Sequence, residues 1–226
     1  MIYHHCKYII LSLFLLQQRS PVVILVNAWE EGDKIYFSSV CMGKKFNMAY
    51  DDQVGLSNAT VCPGRVYDYE MDLRRNTLTR HKSDYSSCEF PTANPLMNGQ
   101  KWRYAYLMAS DMPSRFIPFQ EIVKFDREGT KRQVWSAREE YGVIGEPIFV
   151  PRLPLDREAA EGKRSSLTAE EEDDGWVITQ LYNCKTHKSQ FIVLDAKHVD
   201  QGPVLRAHLK HHTPYGFHGT FSHEVW

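Results

Sequence analysis

Trp176–Tyr182 reads WVITQLY, Asn183-Cys184-Lys185-Thr186 follows it, and Gln190–Leu194 reads QFIVL. Two short runs of β-branched and aromatic residues flank a polar turn, which is the signature of a β-hairpin. Asn opens that turn because its side chain can accept from nearby backbone amides. The pattern recurs where Asp72-Leu73-Arg74-Arg75-Asn76-Thr77 and Asp126-Arg127-Glu128-Gly129-Thr130 follow the runs Arg65–Leu73 and Glu121–Phe125. Further strand candidates are Lys34–Cys41, Tyr104–Ala109, Arg132–Trp135, Pro147–Val150 and Val204–Leu209. Helical periodicity is scarce after residue 20, and the best helical case, Asp156–Gly162, is brief. The chain therefore reads as all-β. Repeated hairpins of this kind suit radially arranged four-stranded blades. At about 40–45 residues per blade, three to four blades fit, fewer than a closed propeller takes.

The chain has 226 residues, 42% hydrophobic and 24% charged, which excludes a disordered or collagen-like polypeptide. Its 27 Lys and Arg against 28 Asp and Glu leave a formal charge of −1. No global basic field exists to hold a phosphate backbone, so no nucleic-acid partner is expected. The five cysteines (Cys6, Cys41, Cys62, Cys88 and Cys184) are widely spaced and form no CxxC pair. They read as free thiols in a reducing compartment, cytoplasmic or plastidial.

Two segments stand apart. Tyr8–Leu16 is an apolar run too short to span a bilayer. With Lys7 before it, it reads as a leader or anchor, as a buried element, or as part of a head foreign to the domain behind it. Asp156–Gly175 reads as an insertion, and its acidic run Glu170–Asp174 reads as a solvated surface.

Of ten histidines, His208, His211 and His212 read as decoration of an exposed strand and turn, and His187 and His198 lie in turn contexts. His218 differs, because Gly216 and Gly219 flank it in Pro214-Tyr215-Gly216-Phe217-His218-Gly219-Thr220. Glycine allows close backbone approach, which suits either a packed core histidine or a metal ligand. Glu89 in Cys88-Glu89-Phe90-Pro91 and Glu146 in Gly145-Glu146-Pro147-Ile148 stand at the entry to apolar strands. Each is an exposed strand-edge residue or an acceptor for a metal-bound imidazole.

Six segments in order resemble the carotenoid cleavage oxygenase family, which includes the retinal-pigment isomerohydrolase. They are Asn27-Ala28-Trp29-Glu30-Glu31-Gly32-Asp33, Cys88–Pro95, Gly145–Arg152, Glu172–Trp176, Val193–Ala196 and Pro214–Phe221. The resemblance implies a seven-bladed β-propeller with one Fe(2+) on its axis. Four histidines hold that iron, and outer glutamates accept ring N–H bonds. It gives His218 the place of the last iron ligand, and Glu89 and Glu146 the places of two outer glutamates. An all-imidazole set suits ferrous iron, and carboxylates behind the rings fix their tautomers. The implied reaction adds O2 across one conjugated double bond of a carotenoid or apocarotenoid and gives two carbonyl products.

The resemblance covers only the C-terminal part of the family pattern, about residues 27–221. The first two ligand segments have no counterpart, and Ile24 stands where the third ligand would be. Residues 1–26 are thus expected to be a divergent head, and 27–226 the propeller part. Three functions follow: an iron(II) dioxygenase of which this chain is an incomplete, inactive fragment; a non-catalytic propeller fragment acting as an interaction module; or a membrane-anchored binding protein resting on Tyr8–Leu16. The expected partners are the carotenoid substrate and O2, a peripheral membrane contact of the intact protein, and a second copy recruited through an unpaired edge on the N-terminal side.

Overall fold

A computed structural model describes residues 23–42, 64–110, 118–129, 132–152 and 167–222. These residues form three antiparallel sheets. The first runs β1 (Val23–Glu31), β2 (Lys34–Cys41), β3 (Arg65–Asp72) and β4 (Thr77–Ser86), each strand beside the next. The second repeats the order with β5 (Cys88–Ala93), β6 (Tyr104–Ala109), β7 (Glu121–Asp126) and β8 (Gln133–Ser136). In the third, β9 (Gly142–Ile144) and β10 (Ile148–Pro151) both pair with β11 (Gly175–Asn183), followed by β12 (Lys188–Asp195) and β13 (Pro203–His208). β9 and β10 are thus two halves of one interrupted strand.

The turn residues act as their chemistry requires. The Asp72 carboxylate accepts from the amides of Arg74 and Arg75 at 3.0 and 2.9 Å. Asp126 accepts from Glu128 and Gly129 at 3.1 and 3.0 Å, and Asn183 from Lys185 and Thr186 at 3.0 and 2.9 Å. Each side chain satisfies amides that the ladder leaves behind.

Alternation along the strands builds two cores, one between each pair of neighbouring sheets. Trp29, Val40, Val66, Leu107, Val123 and Phe125 pack between the first and second. Tyr106, Ile122, Phe149, Val177, Leu181, Ile192 and Leu194 pack between the second and third. Ile35, Phe37, Cys41 and Tyr69, on the other face of the first sheet, are also buried.

Two expectations change. Glu170–Asp174 is not simply a solvated run. Glu172 and Asp173 are buried, and a short helix α1 (Ala169–Glu172) brings them in. Glu172 Oε1 accepts from the amides of Arg103 and Tyr104 at 2.7 and 2.8 Å, and Asp173 pairs with the buried Lys124 at 2.6 Å. Buried carboxylates demand such partners, so the run clamps the second sheet. On the strand side of this junction, the Arg152 amide donates to the Asp174 carbonyl at 3.1 Å, and its guanidinium pairs with Asp174 and Asp195.

The second change is at the amino end. β1 starts at Val23, and Ile24 pairs with Val40, so the first sheet takes in residues upstream of Asn27. The rest of the head, including His4, His5 and Tyr8–Leu16, and the helix expected over Asp156–Gly162 lie outside the described residues. No helix among the described residues is long and apolar enough to cross a membrane. Of the cysteines described, Cys41 and Cys88 are buried free thiols and Cys184 is an exposed one.

Candidate metal centre

The first strands of the three sheets lie together, β5 touching both β1 and β10, and each is interrupted. In β1 the register shifts between Leu25 and Asn27, leaving Val26 without a partner position on β2. In β5 it shifts between Glu89 and Thr92, so Phe90 and Pro91 together oppose Leu107. Phe90 takes a left-handed φ of 48°, unfavourable for a side chain of that bulk and more so before proline. In the third sheet, Gly145-Glu146-Pro147 separates β9 from β10. Pro147 cannot donate to a ladder, and the Gly145 carbonyl accepts instead from Thr179 Oγ1 at 2.7 Å. A bulge re-aims side chains that regular alternation would send to the other face. Glu89 and Glu146 both sit at such breaks.

Glu146 meets His218. Its Oε1 lies 3.1 Å from His218 Nδ1, and its Oε2 accepts from the Gly219 amide at 2.8 Å. One carboxylate thus fixes both the ring and the backbone beside it. The segment is anchored upstream as well, where Tyr215 donates its hydroxyl to the Ile144 carbonyl at 3.0 Å. A Cβ on Gly219 would come within 3.3 Å of Ile148 Cδ1, so glycine allows the close approach. The Phe90 and Phe217 rings flank the imidazole at 5.3 and 4.8 Å. With Nδ1 turned to a carboxylate, Nε2 is the nitrogen left for a metal.

Glu89 is 1% exposed and does not touch His218 through any hydrogen bond. Its Oε2 accepts weakly from the Phe90 amide at 3.3 Å, and its Oε1 has no partner among the described residues. Burial pushes the carboxyl up to about 8. The unpartnered oxygen faces the first sheet. A Cβ placed on Gly64 would lie 2.8 Å from it and 3.0 Å from a methyl of Val40, the residue paired with Ile24. An acceptor so enclosed lacks a donor among the described residues.

No other described histidine joins His218 in a metal-binding group. His208, His211 and His212 are exposed, as is His198, and His187 Nδ1 meets the Tyr182 hydroxyl at 2.8 Å. Among the described residues, no group of three or more His, Cys, Asp or Glu side chains converges as a metal site.

Three polar residues matter more than the sequence suggested. Asn27 is buried and donates to the carbonyls of Met97 and Gln100 at 2.8 and 3.2 Å, tying β1 to the turn after β5. Asn94 donates to the Glu172 carbonyl at 2.9 Å and accepts from the Leu96 amide. With Glu172 they fix the irregular backbone around the strand breaks. The asparagines could have been suspected from their place beside apolar motif residues, but Glu172 hides in an acidic run.

A family model described as RPE65, retinal pigment epithelial membrane protein, matches residues 21–223. The apocarotenoid-15,15'-oxygenase of Synechocystis sp. is 30% identical over 197 residues, covering 87% of this chain and 37% of that protein. A probable carotenoid cleavage dioxygenase 4, chloroplastic, of Arabidopsis thaliana is 31% identical over 208 residues, 90% of this chain and 32% of that one. The crystal structure of the cobalt-substituted Synechocystis oxygenase superposes with a TM-score of 0.71 at 30% identity, over 88% of this chain and 39% of that one. This chain therefore spans well under half the length of these relatives. The three sheets are blades of a β-propeller, and the described ones do not close into a ring.

Proposed function

The chain belongs to the RPE65 family, which takes in the carotenoid-cleaving oxygenases. From that premise we propose that it is the C-terminal part of a non-haem iron(II) dioxygenase that cleaves a conjugated double bond of a carotenoid or apocarotenoid. The observation that carries this reading is the Glu146 carboxylate, which spans His218 Nδ1 and the Gly219 amide. A carboxylate behind an imidazole fixes its tautomer and raises its basicity, as metal-ligating histidines require.

The residues present fit one corner of a four-imidazole site. His218 would be the ligand and Glu146 its orienting acceptor. Glu89 has the acceptor atom for a second imidazole, none of the described residues supplies that imidazole, and the place the resemblance gives to the third ligand is taken by Ile24, which cannot bind iron. Ferrous iron, when bound by a full set, activates O2. This chain's own residues orient one ring and line its surroundings with the Phe90 and Phe217 rings. One imidazole does not hold ferrous iron firmly in water, since affinity comes from several ligands fixed in geometry. The chain by itself is accordingly expected to be inert, and the lone imidazole that the described residues bring to this site also supports the second reading, a propeller part that serves as an interaction module.

The test is to express residues 1–226, add ferrous iron anaerobically, supply an apocarotenoid and O2, and look for aldehyde products. No turnover and no stoichiometric iron are expected. Turnover abolished by His218→Ala would overturn the inert reading while supporting the ligand assignment.

A further inference from the structure

His218 and Glu146 meet on two irregular limbs of the chain, and both limbs are tied to one strand residue. The Gln180 carbonyl on β11 accepts from the Gly145 amide at 2.8 Å, and the neighbouring Thr179 hydroxyl donates to the Gly145 carbonyl at 2.7 Å. The residue before Glu146 is thus held at both ends of its backbone. On the other limb, the Gln180 side-chain amide donates to Thr213 Oγ1 and, at 3.4 Å, to the Pro214 carbonyl. Thr213 is fixed from β12 as well, its amide donating to Ser189 Oγ at 3.0 Å. β11 alternates buried Val177, Thr179 and Leu181 with half-buried Ile178, Gln180 and Tyr182. Gln180 therefore stands next to Ile178 on that side and opposite Phe191, where an apolar residue would serve the sheet as well. Its donors are spent across the gap instead.

We propose that Gln180 is a positioning residue for His218: it sets the separation of the two limbs, so that the Glu146 carboxylate reaches Nδ1 and Nε2 is left toward a metal. The proposal rests on the reading of His218 as a ligand. Residues 72 apart in the chain have to be brought together to within about 0.5 Å for a ligating ring to be of use. One contact between a carboxylate and an imidazole fixes a distance between two atoms and leaves free the direction from which each limb arrives. Fixed points upstream remove that freedom. Gln180 gives one to each limb, and the Tyr215 hydroxyl, donating to the Ile144 carbonyl, gives another. Gln180 has no hydrogen bond to the imidazole or to the Glu146 carboxylate, so it acts through the limbs that carry them. Support of this kind behind a ligand and its acceptor is what holds a metal-binding ring in one orientation.

The test is nitrogen NMR of residues 1–226 without metal, at about pH 8.5, where an ordinary imidazole is neutral. With Glu146 accepting, the His218 ring of the unsubstituted chain should carry its proton on Nδ1. In Gln180→Leu and, separately, in Thr213→Val, the ring should become a mixture of tautomers. The Gly219 amide, which donates to Glu146, should exchange at least about 10-fold faster, while the β11 and β12 amides keep their protection. Thr213→Ser keeps the accepting hydroxyl and should match the unsubstituted chain. Gln180→Leu already removes the bond that Thr213→Val removes, so the double variant should be no worse than Gln180→Leu alone. An unchanged tautomer and unchanged Gly219 exchange in Gln180→Leu, or a loss of protection spread evenly over the sheet, would overturn the proposal and leave the ligand reading standing. Absence of the Nδ1 proton in the unsubstituted chain would overturn the ligand reading and this proposal with it.

Discussion

Glu89→Gln should stabilise this chain at neutral and alkaline pH, although it alters a residue of the candidate metal centre. The Glu89 carboxyl, held at about 8 in the fold, has an ordinary value of 4.5. The cause is burial, opposed only by the Phe90 amide. The folded state therefore binds the proton more tightly than the unfolded chain does. The contribution of Glu89 to stability is greatest below pH 4.5, falls as pH rises through the window from 4.5 to about 8, and is level beyond it. A difference of that size, at about 1.4 kcal/mol per pH unit, corresponds to roughly 5 kcal/mol between the two limits. Relaxation of the surroundings lowers the observable to about 2–5 kcal/mol. Glutamine keeps an acceptor for the Phe90 amide and cannot ionise. Urea unfolding of both proteins at acid and alkaline pH measures the effect. The wild-type midpoint should drop between the two conditions relative to the glutamine variant, and at alkaline pH the variant should be the more stable protein. Parallel pH profiles, or a variant less stable at alkaline pH, would refute the reasoning and imply a donor near Glu89 Oε1.

Three further outcomes are expected. Asp173→Ala leaves the Lys124 ammonium buried without its 2.6 Å partner and should cost about 3–5 kcal/mol, read from the denaturation midpoint, with much of it recovered in the double variant Asp173→Ala/Lys124→Met. Glu146→Ala removes the acceptor of the Gly219 amide, so protection of that amide from hydrogen exchange should fall toward that of an open chain while the β11 and β12 amides keep theirs. Ile24→His restores a histidine at the place the family resemblance gives to the third ligand and, together with His218, should raise Co2+ affinity by about 10-fold or more in an absorption titration, a gain that His218→Ala abolishes.

What the sequence disclosed and what it hid divide along physical lines. β2 and β6 were legible to the residue, because apolar runs bounded by turn residues leave little choice of register. The hairpin turns were legible at Asp72, Asp126 and Asn183, whose side chains accept from the amides that follow them. β4 was missed, since Thr77–Ser86 carries Arg80, His81 and Lys82 on an outermost strand where no apolar partner is required. β5 and β9 were missed for the opposite reason: β5 is broken beside Glu89, and β9 is three residues long and ends just before the gap that holds Glu146. Those breaks place the candidate site, so the local pattern fails where the chemistry is. The His218–Glu146 contact joins residues 72 apart in the chain, and local spacing carries no trace of it. The resemblance of short motifs suggested their roles, while only the fold shows that, among the described residues, one carboxylate meets an imidazole and the other meets none.

The pinning of both sides of the connection after β10 has a consequence for how this lineage can change. On the strand side, Arg152 is tied to Asp174 and Asp195, and on the return side Glu172 and Asp173 are locked into the second sheet. The ends of the connection are therefore fixed by bonds that do not involve residues 153–166. Closing a longer excursion between fixed ends costs only about 0.6 kcal/mol for each doubling of its length. Lengthening, shortening or replacing that stretch should leave the packing of the second and third sheets intact. The junction is thus a graft port, a place where evolution or an engineer can add a new segment without renegotiating the blades.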